Sequence, residues 1–139
     1  MSHYVILFAI ATGARFSEII GLTWDCVDDD SITINKTWDN LFTNDFSNTK
    51  NYASKRTITI DHKTVSLLKE IQLQQDNNKS INNLVFANNQ YAPITNNAVN
   101  KMPKSLCKDT EIKSITCHAL RHTHGSLLLC KGLNIKYIN

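Results

Sequence analysis

His118-Ala119-Leu120-Arg121-His122-Thr123-His124-Gly125-Ser126-Leu127-Leu128-Leu129, read together with Thr12-Gly13-Ala14-Arg15-Phe16-Ser17-Glu18, decides how this chain is understood. Each segment sets an arginine at a helix boundary beside a residue able to hold its guanidinium: Glu18 for Arg15 and His118 for Arg121. A guanidinium is a permanently charged planar fork that grips two phosphate oxygens at once, so such a pair suits a phosphodiester better than a protein core. On a helix starting near Cys117, His118 and Arg121 are three apart and share a face. Taken singly, each motif also has a plainer reading. His118 can be a packed or capping histidine and Arg121 a surface ion-pair partner. An Arg15–Glu18 pair at i,i+3 is worth little on an exposed helix. The functional version requires Glu18 to be buried, where it fixes the direction of the arginine.

Outward from these segments, Tyr4-Val5-Ile6-Leu7-Phe8-Ala9-Ile10-Ala11 reads as a buried helix closed by Gly13 as its C-cap. A short second helix follows over 16–22, with Ile19, Ile20 and Leu22 inward, and Trp24 and Val27 pack beneath an acidic turn. Ser31 to Thr37 and Arg56 to Ile60 alternate β-branched and polar residues, the pattern of strands. Between them lies a polar connection, Asp39 to Lys55, longer than an ordinary hairpin loop and therefore functional or mobile. Asp61 caps a helix with Val65, Leu68, Ile71 and, less cleanly, Leu67 as its apolar face. Asp76 to Ser80 is a surface loop, and Leu84-Val85-Phe86 a short buried segment. Thr95 caps a helix through Met102, which Pro103 kinks or ends. Ile112 to Ile115 is extended and leads into the helix of His118 and Arg121. The fold class expected is α+β, mainly helical with one small antiparallel sheet.

The chain has 139 residues, 42% hydrophobic and 19% charged, which matches one soluble globular domain with a real core. Its longest apolar run, Val5 to Ala11, is too short to span a bilayer, and no secretory signal is visible. A cytoplasmic location is the default. Cys26, Cys107, Cys117 and Cys130 form no CxxC pair and read as structural thiols. Net charge is only +3. Residues 101–139, however, carry Lys101, Lys104, Lys108, Lys113, Arg121, Lys131 and Lys136 against Asp109 and Glu111, while Asp25, Asp28, Asp29 and Asp30 cluster elsewhere. Segregation of this kind permits one cationic face for a polyanion.

Competing chemistries are poorly supplied. His118 and His122 stand at i,i+4 with His124 nearby, yet HExxH and finger spacings are absent, and His122 and His124 cannot both share the face of His118. No metal site is expected. No GxSxG elbow and no Walker-type phosphate loop occur. Tyr137, between Lys136 and Ile138, reads as packing rather than as a nucleophile.

Taken jointly, the segments resemble the catalytic domain of the tyrosine recombinases, or phage integrases, over essentially the whole chain. T-G-A-R-F-S-E at 12–18 is similar to the first arginine box, followed by L-T-W-D-C-V-D at 22–28, where the family also places Trp-Asp. N-T-K-N-Y-A-S-K-R-T-I-T-I at 48–60 resembles the family's β-hairpin segment. H-A-L-R-H-T-H-G-S-L-L-L at 118–129 resembles the second arginine box, with C-K-G-L-N-I at 130–135 after it. Each box alone is weak; four in order are strong. The resemblance is greatest to integrases of mobile elements and prophages of Gram-positive bacteria.

That resemblance implies catalytic roles for Arg15, Lys50, His118 and Arg121. The two arginines clamp the scissile phosphate. Lys50 protonates the departing 5′-oxygen, with Lys55 as the other choice, and His118 bonds the phosphate. Glu18 is the orienting group. The family uses no metal or other cofactor. The implied function is site-specific recombination and integration of a mobile element through a 3′-phosphotyrosyl intermediate, acting on double-stranded DNA attachment sites in a bacterial cytoplasm. Neither the Gly-His box nor a tyrosine in its motif is present, so no nucleophile is assigned. Residues 1–139 are accordingly expected to be a partial catalytic domain, without the core-binding domain or the nucleophile segment. The fragment is expected to be monomeric and inactive, and the full-length parent tetrameric on DNA. The alternative is a non-catalytic helical DNA-binding module.

Overall fold

The computed structural model describes residues 1–39, 42, 43, 45–48, 55–75, 83–87, 93–107, 119, 121 and 122. Its continuous elements among the described residues are α1 (Ser2–Thr12), α2 (Phe16–Ile20), β1 (Ser31–Ile34), β2 (Lys36–Asp39), β3 (Asp45–Asn48), β4 (Arg56–Thr59), α3 (His62–Gln74) and α4 (Asn96–Cys107). A 3-10 turn at Trp24–Cys26 links α2 to β1. The architecture is α+β, as expected. It differs in having, among the described residues, two two-stranded antiparallel sheets rather than one.

α1 is apolar all round, but only Tyr4, Val5, Phe8 and Ala9 are buried, while Leu7 and Ile10 point outward. The buried helix expected here is thus buried along one face. That face packs on α2, α3 and α4. Phe8 meets Phe86 with ring centroids 5.1 Å apart, and the buried Leu84-Val85-Phe86 segment joins the same core. Burying a side chain of this size contributes about 1.5–3 kcal/mol. The Tyr4 hydroxyl donates to Glu70 Oε1 at 2.9 Å and accepts from Gln74 Nε2 at 2.9 Å, which ties α1 to α3. As expected, Asp61 caps α3: its Oδ1 accepts from Thr64 N at 2.9 Å, and Leu68 and Ile71 are buried. Val65 is only partly buried.

β1 pairs with β4 in the register Ile32↔Ile58 and Ile34↔Arg56. The 39–55 connection is shorter than the sequence implies, because Asp45–Asn48 forms a strand against β2. This hairpin has no β-branched alternation to announce it. Its adhesion comes from Trp38, whose ring meets Phe46 edge-on at 4.9 Å. Thr95 Oγ1 accepts from Ala98 N at 3.2 Å and caps α4 as expected. The helix then continues through Pro103 to Cys107 rather than ending there. Pro103 removes one backbone donor, a cost that the rest of a 12-residue helix outweighs. The loop expected at 76–80 and the extended segment expected at 112–115 lie outside the described residues. Among the described residues, no helix is long and apolar enough to cross a membrane.

Candidate phosphate-binding site

The site begins at the exit of α1. Thr12 Oγ1 donates to Phe8 O at 2.8 Å and accepts from Ala14 N at 3.3 Å. Gly13 turns the chain at φ 69°, a left-handed conformation that only glycine adopts cheaply, and its N–H donates to Ala9 O at 2.9 Å. The turn sets Arg15 at the N-cap of α2 with extended dihedrals. Arginine has no acceptor to offer the helix, so the cap works in the other direction: Arg15 N donates to Glu18 Oε2 at 2.8 Å.

Glu18 is 2% exposed, and its burial separates it from a decorative i,i+3 partner. The guanidinium that holds it, however, is not that of Arg15. Arg56, the first residue of β4, donates from Nη1 to Oε1 at 3.2 Å and from Nη2 to Oε2 at 3.0 Å, a fork-to-fork pair. Arg15 Nη1 stands 3.9 Å from Oε1, with its side chain 51% exposed. The expected Arg15–Glu18 partnership is thus a backbone cap plus a long ion pair, and the tight ionic bond comes from the sheet.

Arg121 reaches this turn from the far end of the chain. Its Nε donates to Gly13 O at 2.9 Å across 108 positions. Ala119, Arg121 and His122 are helical, in keeping with the helix read around them. Burial pushes the Arg121 guanidinium below its ordinary pKa; the like charge of Arg15 adds to this, Glu18 opposes it, and Arg56 lowers it further. Those influences place Arg15, Arg56 and Arg121 in one electrostatic neighbourhood, with Glu18 the carboxylate among the described residues that acts on it. An arginine stays charged under such shifts, so the neighbourhood is strongly positive. Fixed cationic forks beside a partly exposed surface can take up a tetrahedral oxyanion and stabilise added negative charge on it.

Arg15, Glu18 and Arg121 are therefore brought together. His118 and Lys50 lie outside the described residues, and Lys55 is exposed immediately before β4. Among the described residues, no group of three or more His, Cys, Asp or Glu could hold a metal. Reading the sequence missed Arg56 as a site residue. A signal was present: alternation along β4 puts Arg56 on the same face as Ile58 and Ile60, and an arginine on an apolar face calls for a buried acid.

Comparison with known proteins bears on this arrangement. The whole chain, residues 1–139, matches the family model described as the phage integrase family. It is 32% identical over 143 residues to the integrase of Staphylococcus phage L54a, covering 91% of this chain and 40% of that protein. It is 31% identical over 138 residues to the ICEBs1 integrase of Bacillus subtilis (strain 168), covering 89% and 36%. The chain thus spans about two fifths of the length of these relatives. In fold it is similar to the Tn1549 transposon integrase solved with transposon right-end DNA, at a TM-score of 0.83 and 23% identity over 98% of this chain and 49% of that one. XerA recombinase follows with a TM-score of 0.69 and 24% identity, covering 98% and 46%.

Proposed function

Because this chain belongs to the phage integrase family, we propose that it forms the phosphate-activating part of a tyrosine recombinase that cuts and rejoins double-stranded DNA during integration of a mobile element. The observation that carries this reading is the bond from Arg121 Nε to Gly13 O, which draws the second arginine box onto the turn that presents Arg15. A binding module has no use for a buried carboxylate that organises cations at one point; a phosphoryl-transfer pocket does.

In this reading, Arg15 and Arg121 grip the non-bridging oxygens of one phosphodiester and neutralise the charge that grows as phosphorus becomes pentacoordinate. A tyrosine hydroxyl attacks phosphorus and forms a 3′-phosphotyrosyl ester, and the 5′-oxygen leaves with a proton. Lys50 supplies that proton; it lies six positions before Arg56, so an extended chain lets it reach about 20 Å from the strand end. His118 hydrogen-bonds the same phosphate. Glu18 orients the turn, and the attacking tyrosine is assigned to none of this chain's residues. The DNA-bound state of the Tn1549 integrase supports duplex DNA as the partner. The intact enzyme acts as a tetramer on its attachment sites.

The test is covalent trapping on a nicked suicide duplex by the full-length integrase. Arg15→Ala and Arg121→Ala should each lower adduct formation by about 10²–10³-fold or more, the scale of removing one charge-stabilising donor, while gel-shift affinity falls far less. Unchanged trapping in either variant would refute the pocket.

A further inference from the structure

We propose that Arg56 is a positioning residue for strand cleavage: it occupies Glu18 so that the Arg15 guanidinium is not captured by its own helix neighbour. The inference rests on the pocket reading above. A carboxylate as buried as Glu18 must be matched by charge and hydrogen bonds. Two arginines compete for it. Arg15 is the local candidate, three residues away on the same turn, and in an isolated helix it would be the partner. Arg56 arrives from a different element and makes two parallel bonds at 3.2 and 3.0 Å, whereas Arg15 remains at 3.9 Å.

Exposure follows the same order. The Arg56 side chain is 26% exposed and that of Arg15 51%. The geometry therefore splits the work: one cation is spent on the acid, and another is held short of it at the surface where an oxyanion can dock. Removing Arg56 costs the pocket twice. One positive charge is lost from the neighbourhood of Arg121, and the unmatched Glu18 draws in the nearest remaining guanidinium, Arg15, already attached to it through its backbone N–H. Arg56 also begins β4, so the same pair ties the start of that strand to the arginine turn.

The test is a double-substitution cycle in the full-length integrase. Single-turnover adduct formation on the nicked duplex is read together with the melting temperature of each variant. Arg56→Gln should lower the cleavage rate by about tenfold or more, the scale of losing one well-oriented charged contact. Glu18→Gln keeps an amide oxygen for the Arg15 N–H. The Glu18→Gln/Arg56→Gln double variant should recover most of the Arg56→Gln loss, to within about threefold of Glu18→Gln alone, because no carboxylate is left to capture Arg15. A purely structural role would move the rate only in step with the melting temperature, and a residue that touches the phosphate itself would give no such recovery. A double variant as slow as Arg56→Gln, or slower, at an equal melting temperature overturns the proposal.

If Arg56→Gln does not fold, Arg56→Lys replaces it. Lysine keeps the charge but satisfies one carboxylate oxygen rather than two, so its rate should rise towards wild type when Glu18→Gln is added. No rise overturns the proposal equally. Arg15→Ala separates the two readings: if it cleaves normally, the pocket assignment has failed, and the cycle at Glu18 and Arg56 no longer concerns cleavage.

Discussion

Gly21→Ala should destabilise this domain although nothing in the backbone angles of Gly21 forbids alanine. Gly21 closes α2 at φ −89° and ψ −2°, an ordinary right-handed conformation. By backbone entropy alone the substitution should stabilise the protein by about 0.4–1 kcal/mol. Space reverses the sign. A Cβ at this position would lie 2.8 Å from Thr37 C and from Trp38 N, and 3.1 Å from Thr37 Cα. These are backbone atoms of β2, a strand paired to β3 along its length, so no side-chain rotation relieves the contact. Restoring an ordinary separation of about 3.5 Å requires α2 and β2 to part by roughly 0.7 Å. Overpacking on that scale costs about 1–3 kcal/mol, and with the entropic gain taken as about 0.5 kcal/mol the net loss is about 0.5–2.5 kcal/mol.

For a domain of this size, that corresponds to a fall in melting temperature of roughly 2–9 °C by calorimetry or circular dichroism. A functional signature should accompany it, because α2 is only five residues long and carries both Arg15 at its cap and Glu18. Displacement at its C-terminal end shifts Glu18 against Arg56, which belongs to the sheet. Trapping on the suicide duplex should therefore fall more than thermal stability alone would explain at a temperature where the variant is folded. An unchanged or raised melting temperature would refute the close approach of α2 to β2 on which this reasoning depends.

Three further outcomes are expected. Gly13→Ala forces a Cβ into the left-handed conformation at a cost of about 1–2 kcal/mol, readable by denaturant unfolding, and should weaken trapping because Gly13 O receives Arg121. Duplex binding should weaken linearly in log salt, and Arg15→Ala should reduce the slope by about one in fluorescence anisotropy titrations. Asp61 is held below its usual pKa of 3.8, first by the Thr64 hydroxyl and then by the Thr64 N–H. A depressed carboxylate contributes stability above its unfolded pKa and loses it as pH falls through the folded one. Asp61→Asn keeps the cap without that titration, so its melting temperature should approach that of wild type as pH drops below 3.8.

Much of this molecule was legible from short-range rules, and the site's central ionic bond was not. Gly13, Asp61 and Thr95 declare helix ends because a cap is settled within three or four residues, whatever the rest of the chain does. Alternation in β1 and β4 declares strands for the same reason. The hairpin of β2 and β3 escaped notice because Trp38 and Phe46 adhere only once the chain has turned back on itself. Pro103 looked like a kink or an end because its local cost is evident, whereas the context that carries α4 past it is not.

The sequence alone determined that two arginine boxes exist, that Glu18 stands within reach of Arg15, and that the chain resembles integrases. Only the tertiary structure decided which guanidinium Glu18 holds. The i,i+3 rule favours Arg15, while the β1–β4 register and the burial of α2 deliver Arg56, 38 positions away, with better geometry. Likewise, Arg121 meets Gly13 across 108 positions because packing, not spacing, brings the two ends of the chain to one turn. Local rules rank partners by their distance along the chain, but a buried charge chooses among whatever the core places beside it, and that choice is made only when the core closes.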